Sequence, residues 1–210
     1  MQIPVIEKEG YEADDIIGTL AKQAEKEGFD VYMMTPDKDF AQLVSTNIFM
    51  YRPSRQGNGI EIWGVEEVKE KFEIDHPEQV IDYLGMMGDS VDNIPGLPGV
   101  GDKTAKKFLA QYGSMENLLA NTHELKGKLK EKIEENKALG ILSKKLARIL
   151  LDVPVSFDEK SCVLSEPNSE EVQSIFRELE FRRLGDRFLK LFSNEEQTES
   201  PTPCLLYTSP

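Results

Sequence analysis

Residues 3–34 read IPVIEKEGYEADDIIGTLAKQAEKEGFDVYMM, and the order of patterns inside them decides the fold class. IPVI at 3–6 is short and apolar, as a buried strand would be. Ala13–Glu27 then places Ile16, Ile17, Leu20, Ala21 and Ala24 on one face at helical spacing. Gly28 stands where such a helix stops. Asp30–Met34 forms a second β-like run. Strand, helix, strand is the repeating unit of a parallel sheet, because parallel neighbours need a crossover connection.

Downstream, IFMYR at 48–52 and IEIW at 60–63 are two further β-rich runs, joined by the polar stretch Pro53–Gly59 as a hairpin loop. Gly64 precedes a short helix, Val65–Phe72. From about residue 78 the pattern turns helical and glycine-punctuated. Helices are expected at Gln79–Met87, Lys103–Tyr112, Glu116–Ala120, Lys126–Glu135 and Ser143–Leu151, a short strand at Val153–Phe157, and helices at Ser169–Leu179 and Leu184–Phe192. The expected division is an α/β core at 1–78, a helical region at 79–192 and a tail at 193–210 that is disordered or foreign to the fold.

The 210 residues carry 25 Lys+Arg against 38 Asp+Glu, a net charge of −13. No apolar run is long enough for a transmembrane helix, and MQIPVIEKEG lacks the basic and apolar regions of a secretory signal. Two cysteines, Cys162 and Cys204, are too few for a disulfide scaffold or a zinc cluster, so a reducing cytoplasm is the default setting. The charge is uneven: residues 1–100 sum to −12, residues 101–150 to +5 and residues 151–210 to −6. Screening makes local charge the relevant quantity, so the basic segment can grip a phosphate backbone although the whole chain is acidic.

Three acidic turns stand out. GYEADD brings Glu12, Asp14 and Asp15 to the start of the first helix, where acids also serve as caps and complement the helix dipole. TPDKD places Asp37 and Asp39 directly after the next strand, where a solvated turn is the plain alternative. Both turns follow successive strands of one unit and so point to the same sheet edge, where open α/β sheets bind ligands. GDSVDN supplies Asp89 and Asp92, which share a direction if they span one helical turn. Carboxylates gathered this way raise each other's pKa values, a cost that bound divalent cations remove. Mg2+ prefers such oxygens, and seven carboxylates suit a two-metal site acting on a phosphodiester. His76 and His123 lie outside all three clusters, which argues against histidine-ligated zinc.

The stretch IPGLPGVGDKTAKKF (94–108) is the most specific motif. Gly96, Gly99 and Gly101 permit turns whose free amides, at the start of a helix, form an anion site. Lys103, Lys106 and Lys107 add charge beside Thr104. Asp102 stands where a Walker A loop needs its lysine, so a helix–hairpin–helix grip on a DNA backbone is the better functional reading; a plain linker is the alternative. The lysine-rich run at 126–132 reads most simply as a solvated helix face.

GYEADD, TPDKD, GDSVDNIPGLPGVGDKTA and LEF at 179–181 resemble, in order and spacing, the 5′-nuclease domain of bacterial DNA polymerase I, from about residue 2 to 192. That family is related to the flap endonucleases and has a PIN-like α/β core, here incomplete, followed by a helical DNA-binding region. The resemblance implies that Glu12, Asp14, Asp15, Asp37, Asp39, Asp89 and Asp92 match metal-site acids. Of these, Asp37, Asp39, Asp89 and Asp92 are expected to favour one metal. It implies that 94–107, with Gly96, Gly99, Gly101, Lys103, Thr104, Lys106 and Lys107, matches the duplex-binding hairpin, which in relatives also takes K+. The implied activity is Mg2+- or Mn2+-dependent hydrolysis at 5′ ends and 5′ flaps of duplex DNA and RNA primers, by a monomer in the bacterial cytoplasm at the nucleoid. The family's earlier strand, a further metal-site Asp and a basic helical arch have no counterpart in this sequence, and the chain reads as a fragment cut at both ends. The rival expectations are a non-catalytic DNA-binding remnant and a PIN-type ribonuclease.

Overall fold

The computed structural model describes residues 4–54, 59–163 and 167–192. The expected tail at 193–210 lies outside the described residues. One compact unit runs Ile6–Phe157, across the expected division at residue 78, and the residues from Asp158 onward belong to a second.

In the first unit, α1 (Ala13–Lys26) precedes β1 (Val31–Met34), a 3-10 helix (Lys38–Leu43), β2 (Ile48–Pro53) and β3 (Ile60–Trp63). The sheet order is β1-β2-β3, with β1 and β2 parallel and β2 and β3 antiparallel. The hairpin is as expected, but the expected parallel pairing of IPVI with the run at 30–34 does not form: Pro4–Ile6 is exposed and irregular among the described residues, and β1 pairs in parallel with β2 instead. The parallel crossover is instead the 3-10 segment between β1 and β2. Alternation along the strands sends Met33, Ile48 and Met50 into the core, each at most 4% exposed, and leaves Tyr32 and Met34 outside.

The helical part contains α2 (Val65–Phe72), α3 (Gln79–Met87), α4 (Asp102–Tyr112), α5 (Met115–Ala120), α6 (Gly127–Glu135) and α7 (Lys137–Leu146). Helix α3 is its centre, with Val80, Leu84 and Met86 nearly fully buried. It packs on α7, α4 and the 3-10 segment, which is how the helical region is locked to the sheet. The approach to α7 is close: a Cβ on Gly85 would lie 2.7 Å from the Lys144 Cα.

Two expectations at the end of this unit are corrected. The helix expected at Ser143–Leu151 is α7, ending at Leu146, and Val153–Phe157 is not a strand. Both differences have one cause. The backbone from 147 to 157 is bonded by side chains rather than by helix or sheet. Gln42 donates to the Ala147 carbonyl and accepts from the Ile149 amide, both at 3.0 Å. On α1, Asp15 accepts from Leu150 at 2.8 Å, Thr19 accepts from Val153 at 3.3 Å, and Gln23 accepts from Phe157 at 2.7 Å. Asp15, Thr19 and Gln23 are four residues apart and share one helix face. Thr19 is therefore 1% exposed, whereas Ile17, expected inside, is 40% exposed.

In the second unit α8 (Glu159–Cys162), α9 (Ser169–Glu178) and α10 (Arg182–Phe192) follow. Phe176 meets Phe188 edge-on at 5.8 Å, and Val172 and Phe188 are buried.

Candidate metal and nucleic-acid site

Helix α1 begins with Glu12 extended just before it, and the Glu12 side chain caps nothing. Asp14 and Asp15 occupy the first turn. Asp37 follows β1 and accepts from the Asp39 amide at 3.0 Å, closing the turn that starts the 3-10 helix. The two turns meet the loop after α3 around one cleft of about 860 Å³, lined by Glu12, Asp14, Asp15, Asp37, Asp39 and Asp92. Six of the seven expected acids are thus brought together from three separated stretches.

Asp89 is placed differently. Residues 89–94 form a turn closed by a two-residue bridge, with Asp89 and Ile94 exchanging amide bonds at 2.9 and 2.7 Å, so the expected helical turn is absent. Asp89 pairs with Lys38 and faces a neighbouring cleft of about 420 Å³, whose lining shares Asp37 and Asp92 with the first. The loop is shaped by two glycines. Gly88 and Gly96 have φ of +76° and +67°, and a Cβ on Gly96 would lie 2.6 Å from the Gly88 nitrogen. No other residue type fits both the conformation and the approach.

The charges report the same convergence. Burial raises the Asp14 pKa, and the charges of Asp37, Glu12, Asp15 and Asp92 raise it further, so all three turns act on one carboxyl. Burial also pushes Asp39 up, to about 7, with Asp37, Asp89 and Asp92 adding to the shift and Lys38 opposing it. The Asp39 Oδ1 is buried and has no hydrogen-bond partner among the described residues. Asp89 behaves oppositely: the Lys38 hydrogen bond holds its carboxyl below the usual range.

This donor set fits hard divalent cations, because the oxygens are anionic and a buried one is unanswered. Among the described residues no three Asp, Glu, His or Cys side chains close on a single point. The acids line the cleft walls and leave room for the waters that Mg2+ retains.

The glycine motif forms the connection between α3 and α4. Val100 donates to the Leu97 carbonyl at 3.0 Å, and Gly101 caps α4 with its carbonyl accepting from Thr104 and Ala105. Gly99 and Gly101 are exposed, as a backbone-contacting turn requires. Lys103 and Lys107 are exposed, but Lys106 is held by Glu73 and Asp102 at 3.1 and 3.3 Å. Lys132, in the lysine run that reads as a solvated face, packs beside Gly99. Gln42, Thr19 and Gln23, which fasten the 147–157 backbone around this site, carry no motif and were invisible in the sequence.

The family model described as "5'-3' exonuclease, N-terminal resolvase-like domain" matches residues 1–73, and "5'-3' exonuclease, C-terminal SAM fold" matches residues 75–170. The chain belongs to the 5′-3′ exonuclease family. It is 46% identical over 200 residues to DNA polymerase I of Bacillus subtilis, covering 95% of this chain and 23% of that protein. It is 43% identical over 197 residues to DNA polymerase I of Bacillus caldotenax, covering 93% and 22%. The chain therefore spans less than a quarter of the length of these relatives. Its fold is similar to that of T5 5′-exonuclease with bound zinc, at a TM-score of 0.62 and 21% identity over 69% of this chain and 52% of that one. It is also similar to the catalytic core of Rad2 in complex with DNA substrate, at a TM-score of 0.58 and 17% identity over 85% and 62%. The mixed α/β core followed by a helical region is the fold these proteins share.

Proposed function

We propose that this chain carries a 5′-nuclease site that hydrolyses phosphodiesters at 5′ ends and 5′ flaps of duplex DNA and at RNA primers, with Mg2+ or Mn2+ as cofactor. The observation that carries the reading is the electrostatic coupling of carboxylates from three distant turns in one cleft. When bound, two divalent ions neutralise the cluster and activate the attacking and departing oxygens of the phosphodiester. Asp37, Asp39 and Asp92 hold one ion, and Glu12, Asp14 and the second oxygen of Asp15 hold the other. Asp89 acts at the shared edge through Lys38, which it keeps facing the acids. Gly99, Gly101 and the first amides of α4 take a backbone phosphate without reading bases, with K+ as a further ligand of that turn, whereas Gly96, expected among them, is buried with its amide on the Ser143 Oγ at 3.0 Å and shapes the loop instead. The division into an α/β core and a helical DNA-binding region, near residue 78, separates the two tasks, in the cytoplasm at the nucleoid. RNA primer removal and action as a monomer belong to the same proposal.

A labelled 5′-flap duplex incubated with the chain and Mn2+ tests it. Cleavage is expected, and Asp39→Ala should lower it about 100-fold or more, which corresponds to ~2.7 kcal/mol of lost transition-state stabilisation. Salt-sensitive binding without cleavage would leave only a DNA-binding module. Preferential cutting of single-stranded RNA would point to a ribonuclease.

A further inference from the structure

We propose that Lys145 and Arg148, which line the same cleft as the acids, are phosphate-positioning residues that hold the backbone of a nucleic-acid strand in the cleft. The inference rests on the nucleic-acid reading of that cleft.

A cleft lined by seven carboxylates, Glu116 among them, repels a polyanion, and over about 10 Å at moderate salt this repulsion is only partly screened. Several cations near the cleft are already committed. Lys38 is paired with Asp89, and Lys106 with Glu73 and Asp102. Lys144 reaches Asp82 at 2.5 Å and Glu116 at 2.7 Å. Lys145 and Arg148 are exposed, line the same cleft as the acids, and form no ion pair among the described residues. Arg148 lies near enough to Glu116 for its charge to help lower that carboxyl's pKa, but neither cation closes an ion pair among the described residues, so both are open to an anion that enters the cleft.

Their placement is built into the fold. Arg148 sits between Ala147 and Ile149, which are buried at 5% and 7% exposure. Both neighbours are bonded to one side chain, Gln42, three residues beyond Asp39 on the same 3-10 helix. The next amide, Leu150, is bonded to Asp15. The segment that presents the acids therefore fastens the backbone that presents the cation, so their spacing is set before substrate arrives. Exposed Leu146 and Leu150 flank the cations on this wall and suit the apolar faces of sugars.

The test uses the full chain, a fluorescent 5′-flap duplex and a salt titration in EDTA, where cleavage does not interfere. Each phosphate contact contributes about 0.9 to the slope of log affinity against log salt. Lys145→Ala/Arg148→Ala should flatten the slope by roughly 2 and weaken binding about tenfold or more at low salt. Lys145→Arg/Arg148→Lys should keep both. In Mn2+, the Ala variant should raise KM with kcat little changed, because a grip common to ground and transition states is lost. Parental affinity and slope in the Ala variant would overturn the inference, and leave the nuclease reading standing if cleavage persists. A slope that depends on these two residues, in a chain that never cleaves, would sustain the inference and remove the nuclease reading.

Discussion

The acid cleft and the helical layer behind it contain the same side chains under opposite conditions. Behind the cleft, Asp82 is 7% exposed and fully answered: it accepts from the Met115 amide at 2.8 Å and from Lys144. Lys144 reaches from there to Glu116 on the cleft itself, and Asp102, exposed on the neighbouring cleft, accepts from the Tyr83 hydroxyl at 2.7 Å. That hydroxyl lowers the Asp102 pKa while burial raises that of Tyr83. In the cleft, Asp14 and Asp39 meet mainly other carboxylates, and one buried oxygen of Asp39 is unanswered. A buried carboxylate with protein partners is architecture. One without them holds free energy that a cation from solution can release.

The contrast predicts opposite responses to removing a carboxylate. Asp82→Ala should have the largest effect, a loss of about 3–4 kcal/mol in denaturant unfolding, because it leaves the buried Met115 amide without an acceptor and cuts Lys144 back to the exposed Glu116. Gly96→Ala should follow at roughly 3 kcal/mol, since it strains the loop that delivers Asp92 without touching a charge. Asp39→Asn should do the reverse. Without metal at pH 8 it should raise stability by about 1–2 kcal/mol, after discounting the shift for solvent screening. The sign follows from a pKa raised in the folded state, so that folding favours the neutral group and stability falls as pH rises from about 4 towards 7. A lower melting temperature for Asp39→Asn in EDTA would remove the contrast.

The smallest expected effect is at Glu116. Burial pushes this carboxyl up, but the Lys144 hydrogen bond outweighs it and the folded pKa lies below 4.5. The pair then adds stability above pH 4.5 that is lost as pH falls through the folded value. Glu116 is 66% exposed at its side chain, so Glu116→Gln should cost under about 1 kcal/mol at pH 7 and nothing at pH 2–3. Thermal melts at the two pH values would show whether the difference shrinks.

Much of the fold was legible because periodicity is local. The bounds of α2 and α3 coincide with the sequence reading, as do β2 and β3 to within a residue. The misreadings share a physical origin. IPVI has strand composition but no partner in the described sheet, and 147–157 has helix and strand composition but spends its amides on Gln42, Asp15, Thr19 and Gln23. No window of neighbouring residues shows that a glutamine 107 positions away will end a helix. At the site, the acids were visible as clusters, whereas Lys145 and Arg148 belong to no motif and were not singled out.

From the sequence alone came the acids, the glycines, the helical spacing and the family resemblance, because these are properties of residue type and short-range order. Tertiary structure decided which carboxylates share a cleft, that Asp89 turns to Lys38 while Asp92 faces the others, and which cations are uncommitted. Those are questions of distance and desolvation, and both are defined only once remote segments have packed.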